Sequence, residues 1–307
     1  MLGYVLRRLA GAIPTMFIIV TIAFFMIRLA PGGPFDLERP LDPLILENIN
    51  RAYNLDQPLW KQYLLYLGNL VQGDLGPSFT RRDFSVMDLF RVGLPVSIQL
   101  GSMALALALA IGVPLGALAA LRQNSLVDYL VVGTATFGIT IPTFVIAPVL
   151  SLVFGVMLGW LPAGGWGGGQ LRYITLPVIT LALPQIAIIA RLTRGATIEA
   201  LRSNHVRTAR AYGLPGHVVV GVHALRAAIL PVVSYLGPTA AALLTGSVVV
   251  ETIFGIPGIG RYFVQGALGR DYTLVMGTVI VIAFFVIIFN LIVDILYAWL
   301  DPRVRYD

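Results

Sequence analysis

Three histidines, His205, His217 and His223, lie in one stretch of the chain and are the only histidines it has. Imidazoles this close together could bind a metal ion. Ligand pairs on one helix face stand four apart, whereas His217 and His223 are six apart and no carboxylate pattern accompanies them. No metal site is expected. The glycine run Gly164–Gly169 could cradle a phosphate with its backbone N–H groups, but a phosphate loop continues into Lys-Ser/Thr. The one lysine of the chain is Lys61, far from that run. The chain therefore cannot carry the usual ATPase site, and if ATP drives it, another chain hydrolyses the ATP. The glycines read instead as a flexible loop near a substrate entrance. Two acids could hold a proton or an ion, because an acid inside an apolar run is a candidate functional group. Asp294 lies about two helical turns from the tail arginines, which favours pairing with an arginine or a neighbouring backbone near the inner interface. Glu251 sits at the end of an apolar run, before a glycine- and proline-rich loop, which favours pairing at a helix end. There is no cysteine, and so no disulfide, thiol nucleophile or thiolate metal site. No cofactor is expected.

The elements that must carry these groups are membrane spans. Of 307 residues, 57% are hydrophobic and 12% charged, about half the charged fraction of an ordinary soluble domain. The net charge of +6 follows the distribution of arginine about the spans and does not point to nucleic acid. Residues 1–30 form a basic start, with Arg7 and Arg8, and a first span from Leu9 to about Ala30, long enough to cross a bilayer and longer than a signal-peptide core. Residues 31–95 are the only long polar segment and read as a small helical extracytoplasmic segment. Two amphipathic helices are expected there. One covers about Asp42–Tyr53. The other follows Pro58, with Trp60, Tyr63, Leu64, Leu67, Leu70 and Val71 at helical spacing. Gly73–Pro77 is a turn, and Ser85 with Asp88 is spaced as a capping box for a short helix leading to Pro95.

Residues 96–300 hold five further spans: Ser97–Leu121, Tyr129–Leu158 interrupted by Gly138, Pro142 and Pro148, Ile174 to about Ala190, Val232 to about Ile253, and Thr273–Leu300. A tight loop, Arg122–Asp128, has a second Ser-x-x-Asp pair at Ser125 and Asp128. Residues 301–307 are the tail. The short outer loops hold three arginines, against nine in the inner loops and tail. Bases close to spans stay in the cytoplasm, so six spans with both termini inside are expected. Thr134, Thr136, Thr140, Thr143, Ser234, Thr239, Thr245 and Ser247 could line a path or could pack helices through small side chains; spacing leaves both open.

The stretch with most to say is the inner loop over about 191–230. It holds Arg191, Arg194, Arg202, Arg207, Arg210 and Arg226 against one acid, Glu199. Arg207–Tyr212 can form a short helix. Gly213 stands where a helix-ending glycine belongs, with Pro215 two residues on to prevent continuation. A compact helix of this kind on the cytoplasmic side can dock a soluble partner.

This loop resembles the cytoplasmic EAA loop of bacterial ABC-importer permeases. Arg207-Thr208-Ala209, Gly213 and His223-Ala224-Leu225-Arg226 follow the peptide-importer branch, RTARAxGL and then HALRxAxLPV. RLAPGGPF at Arg28–Phe35, GDLGPSF at Gly73–Phe79, VVVETIFGIPGIG at Val248–Gly260 and VDILYAWLDPRVRY at Val293–Tyr306 resemble that branch too, so the resemblance covers essentially the whole chain. It is closest to OppB-type permease subunits of oligopeptide importers. The resemblance implies an all-α type I ABC importer permease fold in the bacterial inner membrane. It implies an OppC-like second permease, two ATPase subunits and an extracytoplasmic peptide-binding protein as partners, with lipid around the spans. It implies that Arg207, Thr208, Ala209, Arg210, Ala211, Tyr212, Gly213 and Leu214 form the coupling helix against an ATPase. The chain itself is then not an enzyme. Residues 31–95 would help seat the binding protein. Related machines carry dipeptides, nickel chelates, haem or antimicrobial peptides, and no residue is assigned to cargo. An ion-coupled secondary transporter using Asp294 and Glu251 is the reading from another class; such proteins show internal repeats, and no clear repeat is visible.

Overall fold

The computed structural model describes residues 2–29, 47, 50–51, 53–81, 83–245 and 248–300. The expected helix over about Asp42–Tyr53 lies largely outside the described residues, and the tail 301–307 lies wholly outside them. Thirteen helices are labelled here: α1 (Leu2–Leu29), α2 (Leu59–Val71), α3 (Val86–Leu121), α4 (Leu126–Thr140), α5 (Thr143–Leu150), α6 (Leu171–Arg202), α7 (Asn204–Ala211), α8 (Gly216–Val218), α9 (Leu225–Ala228), α10 (Leu230–Leu244), α11 (Val248–Ile253), α12 (Gly260–Leu268) and α13 (Tyr272–Leu300). Among the described residues the only extended pairing is one isolated bridge, Pro77 to Ser85.

Five stretches are long and apolar enough to cross a membrane: Leu6–Leu29, Val86–Leu121, Leu171–Arg202, Leu230–Ile253 and Tyr272–Tyr297. The sixth expected span, Tyr129–Leu158, does not form one straight helix. α4 and α5 meet at 99°, and the break falls at Pro142, one of the three expected interruptions. Ile141 before it is extended, at φ −82° and ψ 118°, as the residue before a proline prefers. Pro148 lies inside α5, which runs on as a π-helical turn over Ser151–Met157.

Two boundaries differ from the sequence reading. Pro95 does not end a short helix, because α3 runs through it for 36 residues, about 54 Å. The carbonyl that a proline frees belongs four residues back, to Arg91, which is exposed and can be served by solvent. The N-terminus of α3 is the expected capping box, with Asp88 N donating to Ser85 Oγ at 3.1 Å and Ser85 N to Asp88 Oδ2 at 3.2 Å. α6 does not stop near Ala190 but continues to Arg202. No proline stands in that interval and Gly195 does not end the helix, so Arg191, Arg194 and Arg202 belong to the span helix and not to a loop.

The most extensive packing joins α3 to α6. A Cβ on Gly116 would come 2.3 Å from the carbonyl oxygen of Ala190, and one on Gly112 would come 2.9 Å from the Ile189 side chain. α10 approaches the same helix at Gly101, where a Cβ would lie 2.3 Å from the Leu243 carbonyl oxygen. Lipid offers no hydrophobic drive between helices, so close backbone approach and dispersion hold them together. The outer segment is tied on separately by Asp271, which is fully buried. Its carboxylate accepts from Ser78 Oγ at 2.5 Å, Thr80 N at 3.1 Å, Thr80 Oγ1 at 2.9 Å and Thr273 Oγ1 at 2.9 Å, and it caps α13 through Leu274 N at 3.1 Å.

Two predictions follow from this packing. Gly116→Val forces α3 from α6, and overpacking of this kind costs about 1–3 kcal/mol; thermal unfolding in detergent should show a lowered Tm, with Gly195→Val, where a Cβ meets nothing within 4 Å, as the control. Burial pushes the Asp271 carboxyl up, but the hydrogen bonds from Ser78, Thr80 and Leu274 outweigh it and hold it below its ordinary value. A depressed native pKa contributes stability above the unfolded value, about 3.9, that is lost as pH falls through the native one. Asp271→Asn should lower the neutral-pH Tm and flatten its fall on acidification.

Candidate functional site

The site is built at the inner end of α6. Ser203 turns the chain with extended backbone, φ −70° and ψ 155°, and α7 follows at once. α7 is short and two-faced. Val206 and Ala209 are buried against Ala200, Val219 and Ala224; Arg207, Thr208, Arg210, Ala211, Tyr212, Gly213 and Leu214 are exposed. Tyr212 is 82% exposed and stands at the tip. Of the eight sequence-assigned coupling residues, Ala209 alone faces into its own chain, where it seats the helix.

The helix ends as its sequence requires. Leu214 N donates to the Ala209 carbonyl at 3.3 Å and Gly213 N to the Arg210 carbonyl at 3.0 Å, the two bonds of a Schellman stop. Gly213 is at φ +73°, and a Cβ there would meet nothing within 4 Å. Backbone conformation, and not space, is what demands glycine at this position. Pro215 then starts α8, which passes into a π-helical turn over Val219–Ala224.

Of the histidines, His205 joins two elements. The His205 ring lies 2.9 Å from Ser203 Oγ through Nδ1 and 3.3 Å from the His223 carbonyl through Nε2, so it ties α7 to the π turn. His217 is exposed. Among the described residues no three potential metal ligands come together.

Sequence reasoning missed the clamp behind this platform. Asp128, read as a capping residue, is 1% exposed and takes both oxygens to Arg194 of α6, with Arg194 Nη2 donating at 2.7 Å to Oδ2. Asn124 N adds a bond to Oδ2 at 2.9 Å, and Asp128 N donates weakly to Ser125 Oγ at 3.5 Å. The loop Arg122–Ser125 is thereby fixed to α6. An acid on the inner side, opposite a separate arginine-rich stretch, is the one signal the sequence carries for this.

The two candidate ion-coupling acids are otherwise engaged. Glu251 is fully buried; its carboxylate accepts from Ser97 Oγ at 2.7 Å and from Gly260 N, at the start of α12, at 2.9 Å. Ser97 Oγ in turn accepts from Ile259 N at 2.9 Å, so one carboxylate holds the FGIPGIG loop to α3. Helix N-termini favour such an anion. Asp294 forms an ion pair with Arg8 across α1 and α13, Nη2 to Oδ2 at 3.1 Å, although Oδ2 accepts no aligned hydrogen bond. The threonine hydroxyls at 134, 136, 140 and 245 donate back to carbonyls four residues earlier, which satisfies them within their own helices.

The family described as "Binding-protein-dependent transport system inner membrane component" matches residues 112–306, and its N-terminal counterpart matches residues 1–89. The chain belongs to this family. It is 53% identical over 306 residues to the oligopeptide transport system permease protein OppB of Salmonella typhimurium and 52% identical to that of Haemophilus influenzae, covering 100% of each. It is 40% identical over 305 residues to the dipeptide transport system permease protein DppB of Bacillus subtilis, covering 99% of this chain and 98% of that one. A solved structure of the MetNI methionine ABC transporter in inward-facing conformations aligns with a TM-score of 0.57 at 17% identity, over 70% of this chain and 97% of that one. The chain therefore has the fold of a type I ABC importer permease and is a multi-pass component of the inner membrane.

Removing one partner of a buried ion pair costs about 3–5 kcal/mol, because the other charge is left uncompensated. Asp128→Asn should approach the lower figure, since Arg194 keeps some solvent. The double variant with Arg194→Gln should recover part of the loss in a thermal unfolding series.

Proposed function

We propose that this chain is the transmembrane permease subunit of an ATP-driven importer of oligopeptides. It would work with an OppC-like second permease, two ATPase subunits and an extracytoplasmic peptide-binding protein. The observation that carries the reading is α7: an exposed basic helix with Tyr212 at its tip, sharply stopped at Gly213 and seated on the end of a span. The chain has no phosphate-loop lysine, so the energy has to arrive from another subunit, and α7 is the surface that could receive it. Full-length identity to OppB proteins supports oligopeptides as cargo. The 40% identity to a dipeptide permease keeps dipeptides as the second reading.

The arginine distribution supports both termini in the cytoplasm, with residues 31–95 outside. On that topology, closure of the ATPase pair draws the two coupling helices together. α7 is continuous with α6 through Ser203, and α6 is clamped to α4 by Arg194. The platform then moves as a unit and rocks the bundle between inward- and outward-facing states. The coupling residues are Arg207, Thr208, Arg210, Ala211, Tyr212, Gly213 and Leu214, with Ala209 as their seat.

Gly213→Val tests this. A Cβ in the left-handed region costs about 1–2 kcal/mol and should deform the stop without touching the spans. In proteoliposomes containing the assembled complex and loaded binding protein, peptide uptake should fall while membrane insertion stays normal, and Gly213→Asn, which tolerates this φ better, should retain more uptake. Normal uptake by Gly213→Val would overturn the assignment. The cargo is read by binding assays of the co-purifying extracytoplasmic protein with peptides of defined length.

A further inference from the structure

Helix α2 has more apolar surface than its packing uses. Tyr63, Tyr66, Leu67 and Leu70 turn toward the protein. Trp60, Leu64 and Val71 share a second stripe by their spacing and are exposed at 63%, 57% and 89%. In water such a stripe would be a liability.

Depth along α1 identifies what covers it. The Tyr63 hydroxyl is 2.6 Å from Thr21 Oγ1, and Thr21 lies about 12 Å inward from the Leu29 end of that span. The Tyr63 ring packs on Phe24 and Phe25 at 5.3 and 5.4 Å, and Tyr66 packs on Phe24 at 5.7 Å. One turn further out, Arg28 lies over the Phe24 and Tyr272 rings at 5.4 and 5.5 Å. It shares a cavity of about 140 Å³ with Gln62 and Asn69, on the opposite edge of α2. α2 therefore lies across α1, with its Gln62–Asn69 edge level with Arg28 and its Tyr63 edge deeper. Passing round the helix from Gln62 through Tyr66 and Tyr63, the next stripe is Trp60, Leu64 and Val71, on the deep side. Lys61 and Gln72 follow on the shallow side, with Leu65 between them and the Asn69 edge, where it lines the cavity. At this depth α1 itself exposes Ile18 and Ile22, at 55% and 54%, which is the lipid-facing surface of a span.

We infer that α2 is an in-plane membrane helix. On the topology proposed above it lies in the outer leaflet, with Trp60, Leu64 and Val71 among acyl chains and Lys61 and Gln72 among headgroups. An amphipathic helix with tryptophan on its apolar face suits that position. The contacts to α1, with the Asp271 anchor on Ser78 and Thr80, fix α2 at this depth.

The absence of cysteine makes the test direct. Single variants Leu64→Cys, Val71→Cys, Lys61→Cys and Gln72→Cys in the full chain, in the complex with which it purifies and with companion cysteines removed, are spin-labelled. The complexes are reconstituted in phosphatidylethanolamine–phosphatidylglycerol vesicles. The ratio of oxygen to nickel-chelate collision rates should be severalfold higher at positions 64 and 71 than at 61 and 72. Equal nickel access at all four would place the stripe in water and overturn the inference. Shielding of 64 and 71 from both reagents would mean a protein cover and would overturn it equally. Brominated-lipid quenching that is present in the unlabelled native chain and diminished in Trp60→Phe provides a check free of labels; quenching unchanged by that substitution would also count against lipid contact.

Discussion

The backbone approach of α3 to α6 at Gly116 is the contact on which the other packing depends. Two helices in lipid gain little from burying apolar surface, so their affinity grows with how closely the chains can lie. Gly112 and Gly116 let α3 rest on the Ile186 and Ala190 carbonyls of α6, and Gly101 lets α10 rest on the same spine. Polar ties then fix the spine at both ends. Near one end Ser97 of α3 meets Glu251 and the loop that leads into α12. Near the other, Asp128 and Arg194 bind the α3–α4 loop to α6. Both ties are buried acids that carry several hydrogen bonds, the condition under which a buried polar group is tolerable.

The inner platform is a small helix seated on the end of a long span. α7 contributes two buried side chains to one small apolar cluster and a single imidazole link to the π turn. Everything else on it faces out. On the proposed coupling role, a displacement of Tyr212 would pass into α6 and, through Arg194, into α4. The extra residue of the π turn over Val219–Ala224 shapes the floor on which α7 sits, and such turns recur at functional positions.

Much of this was legible in the residues. The Gly213 stop, the Ser85–Asp88 box, the break at Pro142 and the pairing of Asp294 with an arginine each rest on local chemistry: a glycine that tolerates positive φ, a side chain that reaches its own helix terminus, a proline without an N–H, a charge near basic neighbours. Boundaries set by a missing breaker were less legible, because apolar runs and helices need not end together; α6 carries three arginines beyond the apolar run. That Ala209 faces inward while its neighbours face out was not legible, because a helix of eight residues shows its two faces only against what it packs on.

What the sequence by itself determined is the class, the spans, the family and the place of the exposed helix, because hydropathy, charge asymmetry and turn chemistry act over a few residues at a time. What only the tertiary structure decided is which distant groups meet: Asp271 with Ser78 and Thr80, Glu251 with Ser97, Asp128 with Arg194, and Tyr63 with Thr21. These partners lie from 42 to 193 residues apart. No local propensity encodes such pairings; they form only when the helices and the loops between them pack together.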